Sequence, residues 1–471
     1  MESARKKFSC AFAVMVMLAF AAKAHAQASP PRDPAEPPQA KPQLKILSRP
    51  LGTISRQSID EKSMRTLIHN LVSCGTRLTL SSWTDQKRGI GCGRDFVVAR
   101  LNEIAKESGG KLQIVLDKFE SKSERTGPNP VHLENVYAIL PGSDPMLAKT
   151  VFIVVGDVDS RPSNVMDPEA DAPGADDDGS GTAVSVECAR LLSRPEANGH
   201  GKFGSFRATL IFGVLSGEEQ GLLGAYRLLD WTKEQGYTVG AMLDNDIVGA
   251  DTAPGGAHRV RVFSGNGEIE DSDSPARELA RAIEEIDGHN AIRMIFRQDR
   301  YGRGGDHFPF YKAGLPAVRF TEPLEDYNHQ HQTPRTENGV EYGDFEKYLN
   351  YTFMGNVARD NAEVLRQLAM APAPPTNARL KGAVTPDAKV SWAAEDDSER
   401  AGFEVLWRET TDPRWHVYDL VTEPGEAVLK GVSTDNHFFA VRSVGKNGAR
   451  SIAVPTEMER RPPPGPTPAK Q

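Results

Sequence analysis

Cysteine is scarce in this chain of 471 residues. There are four, and Cys10 lies inside an N-terminal apolar run, which leaves Cys74, Cys92 and Cys188. Basic charge is not in excess either: 56 Lys and Arg stand against 64 Asp and Glu, a net charge of -8, which argues against a nucleic-acid partner. Long hydrophobic runs are missing beyond the N-terminus. The run Phe8 to Ala22 is shorter than the roughly 20 residues a spanning helix needs, and no comparable run follows. There is no G-x-S-x-G elbow and no H-E-x-x-H helix, so serine-hydrolase and zincin signatures are absent.

Arg5, Lys6 and Lys7 precede the apolar run, and Ala24-His25-Ala26 supplies small residues at a signal-peptidase spacing. Residues 1–26 therefore read as a cleaved secretory signal, and the expected address is periplasmic or secreted, with no integral membrane segment after cleavage. In an oxidising compartment Cys74 and Cys92, close in sequence and each beside a glycine, are expected to pair; two free thiols are the alternative. Cys188 falls on an expected amphipathic helix and reads as a small buried hydrophobe.

At this length more than one domain is expected. Residues 27–43 form a Pro-rich linker. From 44 to 370, apolar strand-like runs such as Thr150 to Val155 and Thr209 to Leu215 alternate with helix-length stretches, Gly179 to Leu192 and Asp344 to Leu368 among them. That alternation predicts an α/β domain with a mostly parallel central sheet flanked by helices, with ligands at the carboxyl ends of its strands. A second linker (371–376) leads to short alternating strands over 377–457, a small all-β sandwich, and a Pro-rich tail follows from 458 to 471. Trp392, FEVLWR and FFAVRSVGKNGARS resemble a fibronectin type III module.

Five acidic or histidine clusters each close an apolar run. They are VVGDVDSR with Asp157 and Asp159; APGADDDGSG with Asp176, Asp177 and Asp178; SGEEQG with Glu218 and Glu219; LDNDIVG with Asp244 and Asp246; and GGDHFPF with Asp306 and His307, followed by His329 and His331. Singly each reads as a solvated loop. Together they supply more carboxylates than one cation needs, and imidazole besides, the donor types zinc uses. The excess points to two divalent ions sharing a bridging carboxylate.

The order D-S, P-G-A-D-D-D-G-S-G, G-E-E-Q-G-L-L-G, D-I-V-G, D-H-x-P-F and a late His resembles the dinuclear zinc exopeptidases, the family of bacterial leucyl aminopeptidases and glutamate carboxypeptidase. The likeness spans about Leu44 to Leu368. It implies hydrolysis of N-terminal residues from peptides, with Glu218 as general base. It also implies Asp177 as the bridging ligand, joined to Asp178 by a cis peptide bond. Glu219 and His331 would hold one ion and Asp246 and Asp157 the other, while Asp159, Asp178 and His307 lie behind the ligands and orient them.

One position departs from the pattern: the family has His where this chain has Asp157. A carboxylate hardens that site and favours Mn, Co or Mg beside Zn. It also leaves Asp159 with no imidazole to orient. A metallocarboxypeptidase, an amidase or a non-catalytic binding protein are the other readings, and contact with wall or matrix polymer through the C-terminal module stays open.

Overall fold

The computed structural model describes residues 51, 53–194, 206–252, 259–265, 273–288, 291–295, 304–381 and 385–459. The expected signal, the Pro-rich linker and most of the tail lie outside the described residues. The strands in chain order are β1 (Gln113–Ser121), β2 (Val131–Leu140), β3 (Thr150–Asp157), β4 (Thr209–Leu215), β5 (Thr238–Asn245), β6 (Val260–Phe263), β7 (Ile292–Ile295), β8 (Ala317–Thr321), β9 (Arg335–Glu337) and β10 (Val340–Tyr342). After the long helix Tyr351–Met370 come β11 (Thr376–Lys381), β12 (Ala388–Ala393), β13 (Arg400–Glu409), β14 (His416–Val421), β15 (Glu426–Leu429), β16 (His437–Gly445), β17 (Val454–Pro455) and β18 (Glu457–Met458).

Eight strands build one sheet in the order β1-β2-β4-β3-β5-β8-β6-β7. The inner strands β4, β3, β5 and β8 run parallel. The edges do not: β1 and β2 pair antiparallel, β2 meets β4 antiparallel, and β6 meets β8 antiparallel. The mostly parallel sheet expected from the sequence is therefore a mixed one. The segment between β1 and β2 is a short loop without a helix, and only antiparallel strands close over so short a connection.

Strand parity sorts the core. In β3 and β4, Phe152, Val154, Leu210, Phe212 and Val214 face one layer, which also holds residues of the helices Glu61–Ser73, Ile90–Glu107, Gly179–Leu192 and Tyr351–Met370. Val151, Ile153, Val155, Ile211 and Leu215 face the opposite layer with the helix Leu223–Glu234. Both faces are covered, which is why these strands read as unbroken apolar runs.

The helix Gly179–Leu192 is buried along its whole length, Cys188 included, rather than amphipathic as expected. Its one buried charge pair is local, Arg190 Nε donating to Glu187 Oε2 at 2.7 Å. Its first turn lies against β3 so closely that a Cβ on Gly156 would stand 2.2 Å from the Gly181 carbonyl carbon, so the glycines at this crossing are steric requirements. The last helix begins at Tyr351, capped by the Asn350 side chain accepting the Phe353 N–H, and not at Asp344; that frees Asp344 for the loop beneath the site.

Beyond Met370, two four-stranded sheets, β15-β12-β11-β18 and β14-β13-β16-β17, face each other across a shared core that includes Val390, Trp392, Phe403, Val405 and Val441. This unit docks at the amino ends of the central strands. Arg207, two residues before β4, pairs with Asp397 at 2.9 Å, and Asn447 Nδ2 donates to the Met370 carbonyl at 3.1 Å.

Candidate active site

The parallel strands deliver their acidic residues to one edge. Asp157 ends β3, Ser216 to Glu219 follow β4, and Asp246 follows β5. Asp177 and Asp178 arrive from the loop before the helix Gly179–Leu192, and the bond between them is cis. Asp178 caps that helix through the Gly181 N–H and also accepts the N–H groups of Asp157 and Ile247. Its carboxylate thus ties the ends of β3 and β5 to the helix start.

Two donor groups result among the described residues. Asp177, Glu219 and His331 each offer a ligand atom, all within 4.8 Å of one another, and so do Asp157, Asp178 and Asp246. His331 Nε2 stands 2.8 Å from Asp177 Oδ2 and 3.1 Å from Glu219 Oε1. His329 is elsewhere, stacked on the Tyr348 ring. The first group, two carboxylates and an imidazole, suits zinc. The second is all oxygen and suits a harder divalent cation. Asp306 is 1 % exposed and neither of its carboxylate oxygens has a hydrogen-bond partner; burial, and then the charges of Asp244, Asp159 and Asp246, push it well above the usual carboxylate range, as in a cluster holding more acid than its own cations neutralise. The residues therefore fit a cation-binding centre. A fixed positive charge already serves the second group, since fully buried Arg319 holds Nη2 at 2.8 Å from Asp246 Oδ2.

Burial dominates the titration of these groups. It lifts Asp157, Asp178 and Glu218 well above the carboxylate range, and the neighbouring acids raise them further. Asp159 rises to about 7, through burial and then the charge of Glu219. Burial would lower His331, but Glu219 and Asp177 overcome it and raise the imidazole to about 9. The arrangement favours bound cations over bound protons as pH rises.

Asp159 has a task the sequence did not disclose. One oxygen accepts the N–H groups of Gly217 at 2.7 Å and Glu218 at 3.2 Å; the other accepts Glu219 N–H at 3.1 Å and the Thr79 hydroxyl at 2.9 Å. Gly217, at φ 80°, makes the turn that aims those amides inward. His307 is buried with Nδ1 3.2 Å from Asp244 Oδ2, behind the cluster and outside both donor groups.

Two supports went unseen in the sequence. Arg77 is fully buried and donates to the carbonyls of Val158, Pro173 and Gly174, clamping the loops that carry the acids. Asp344 accepts the N–H groups of Asp176 and Asp177 at 2.9 and 2.8 Å. Cys74, three residues before Arg77, is bonded to Cys92 with an S–S distance of 2.02 Å, so the Arg77 loop is pinned to the helix Ile90–Glu107. Only the nearby cysteine could have marked Arg77; Asp344 read as part of a helix.

Asp177, Glu218, Glu219, Asp246 and His331, with Arg125 and Arg161, line a cleft of about 480 Å³. Residues 135–351, which carry the donor groups, match peptidase family M28. A probable zinc metalloprotease of Leptosphaeria maculans is 37% identical over 420 residues, 84% of this chain and 95% of that protein. Another, from Pyrenophora tritici-repentis, is 37% identical over 440 residues, 87% and 88% of the two chains. Among solved structures, the Legionella pneumophila LapA aminopeptidase gives a TM-score of 0.49 at 19% identity, over 68% of this chain and 74% of that one. The chain belongs to peptidase family M28 and is a zinc-dependent peptidase.

Proposed function

We propose that the chain is an exported aminopeptidase that removes N-terminal residues from peptides at a two-cation centre, with Glu218 as general base. The observation that carries this reading is the position of Glu218, beside Glu219 in the same cleft as Asp177, Asp246 and His331. Asp177, Glu219 and His331 would hold zinc, and Asp157 and Asp246 a second divalent ion, with Asp177 the ligand common to both and Asp178 behind them, where its oxygens accept the Gly181, Ile247 and Asp157 N–H groups. Cations held there would supply Lewis acidity toward the scissile carbonyl and toward water.

The rest falls to the chain's own groups. Glu218 accepts the proton of the attacking water at its carboxylate and returns it to the departing amine. Asp159 fixes the backbone that aims Glu218. The carboxylates at the cleft wall attract a free α-ammonium, which selects the amino end of a peptide. Export is supported by the basic, apolar and small-residue order of residues 1–26, and by the Cys74–Cys92 bond, which suits an oxidising compartment. The C-terminal unit, read as fibronectin type III-like, contributes none of the described residues that line the cleft, so wall or matrix contact through it would leave the cleft open.

A pair of substrates tests the reading: an aminoacyl p-nitroanilide and its N-acetylated form, each given to the zinc-loaded enzyme. Hydrolysis confined to the free amine supports it. Equal hydrolysis of both, or preference for the acylated form, overturns it in favour of an amidase or carboxypeptidase. Sequencing of the mature N-terminus checks export and is expected to begin near Gln27.

A further inference from the structure

We propose that Arg125 and Arg161 bind a carboxylate of the substrate, so that the favoured substrates are short peptides with a carboxylate close to the scissile bond. The inference rests on the aminopeptidase reading and deepens it.

Both guanidinium groups stand on the wall of the cleft that carries Glu218 and Glu219. Arg125 Nη1 donates to the Glu219 carbonyl at 3.0 Å, and Arg161 Nη1 lies 3.4 Å from Glu219 Oε2. Arg161 is 18 % exposed in its side chain, yet its Nε is buried without a hydrogen-bond partner. A planar guanidinium offers donors that match a carboxylate, and the exposed part of the Arg161 side chain belongs to the cleft lining. Glu219 Oε2 accepts from Arg161 Nη1 at 3.4 Å, a long bond that engages one nitrogen of the guanidinium.

The loop carrying Arg125 is built before substrate arrives. Ser123 donates its hydroxyl to the Gln220 carbonyl, Ser123 N–H donates to Thr126 Oγ1 at 2.9 Å, and Arg125 N–H donates to Ser123 Oγ at 3.0 Å. The β1–β2 loop is therefore stitched to the segment after β4, and Arg125 pays little entropy to be in place. A cleft lined by Asp177, Glu218, Glu219 and Asp246 alone would repel an anionic group. Two arginines on one wall reverse that locally, so the cleft attracts an ammonium at one place and a carboxylate at another.

Two sources share this chemistry: the terminal carboxylate of a dipeptide and an acidic side chain. Four peptides separate them: Leu-Ala, Leu-Ala-amide, Leu-Glu-amide and Leu-Gln-amide. They are assayed for kcat and KM with the zinc-loaded enzyme and with Arg161→Met, Arg161→Lys and Arg125→Met. Their dissociation constants are measured by calorimetry on Glu218→Gln. We expect a carboxylate to favour kcat/KM by about tenfold or more, mainly through KM, as a charge-assisted pair should. That ratio collapses toward one in the Met variants and partly recovers in Arg161→Lys. Leu-Ala exceeding its amide assigns the terminal carboxylate, and Leu-Glu-amide exceeding Leu-Gln-amide assigns the side chain.

If the wild type treats all four alike, or the Met variants lower all four equally, the arginines only brace Glu219 and the proposal falls. N-acetyl-Leu-Ala keeps the two ideas apart. Its ready hydrolysis defeats the aminopeptidase reading, while the four-peptide comparison still decides the arginines.

Discussion

Asp159 holds Glu218 by its backbone: the carboxylate accepts the Glu218 N–H at 3.2 Å, with the Gly217 and Glu219 amides on either side of that bond. One buried side chain thus sets where Glu218 and Glu219 sit. Asp159→Asn puts a donor where the structure needs an acceptor, and an orienting group of this kind is worth about 10–100-fold in activity or metal affinity. The variant should fold, keep zinc and lose turnover in that range. Unchanged kcat would refute the role.

Arg77 should matter for stability before it matters for rate. Its guanidinium donates to three carbonyls in a fully buried position; Arg77→Met takes that donor from Val158, Pro173 and Gly174, and Gly174 keeps the Gly179 N–H. A loss of about 3 kcal/mol or more is expected in urea unfolding of the metal-free protein. A loss under about 1 kcal/mol would mean that solvent or neighbours replace the arginine.

Metal-free protein should weaken as pH rises. Folding lifts Asp157, Asp178 and Glu218 well above their ordinary range and Asp159 to about 7, all chiefly by burial. A folded value above the unfolded one means that the stability contributed is complete below about pH 4 and lost as pH climbs through the folded values. His331, raised to about 9 by Glu219 and Asp177 against its burial, adds the same sign between its unfolded value and 9. The Tm of chelator-treated protein should therefore fall from pH 5 to pH 8, and zinc should raise Tm more at pH 8 than at pH 5. A Tm that rises with pH in the absence of metal contradicts this.

Asp157 is expected to make the second cation site hard and weak toward zinc. Asp157→His removes one negative charge from the group of Asp157, Asp178 and Asp246 and adds a softer donor. After dialysis at limiting free zinc, the variant should retain more zinc per chain than the wild type, measured by plasma mass spectrometry. The wild type should respond more to manganese. Equal zinc content in the two proteins would show that Asp157 does not govern loading.

The acids that gather at the candidate site were legible because each closes an apolar run, and three such runs became adjacent parallel strands. The Asp177–Asp178 pair and the choice of His331 over His329 followed from motif order. What escaped were groups whose role depends on long-range contacts. Arg77 reaches Pro173 and Gly174 across almost a hundred residues of chain, and Asp344 reaches Asp176 across 168. The antiparallel sheet edges escaped too, because a strand's apolar pattern records burial and not direction. Asp159 was seen but given no partner, since its partners are backbone amides, which every sequence has.

In the proposed division of labour, Glu218 moves protons while Glu219 holds metal. Zinc content and peptide turnover measured on one preparation of Glu218→Gln test it most directly. Zinc content should equal that of wild type while kcat falls by about a thousandfold or more, within what loss of a proton-transfer group removes. Near-normal turnover with metal retained would contradict it.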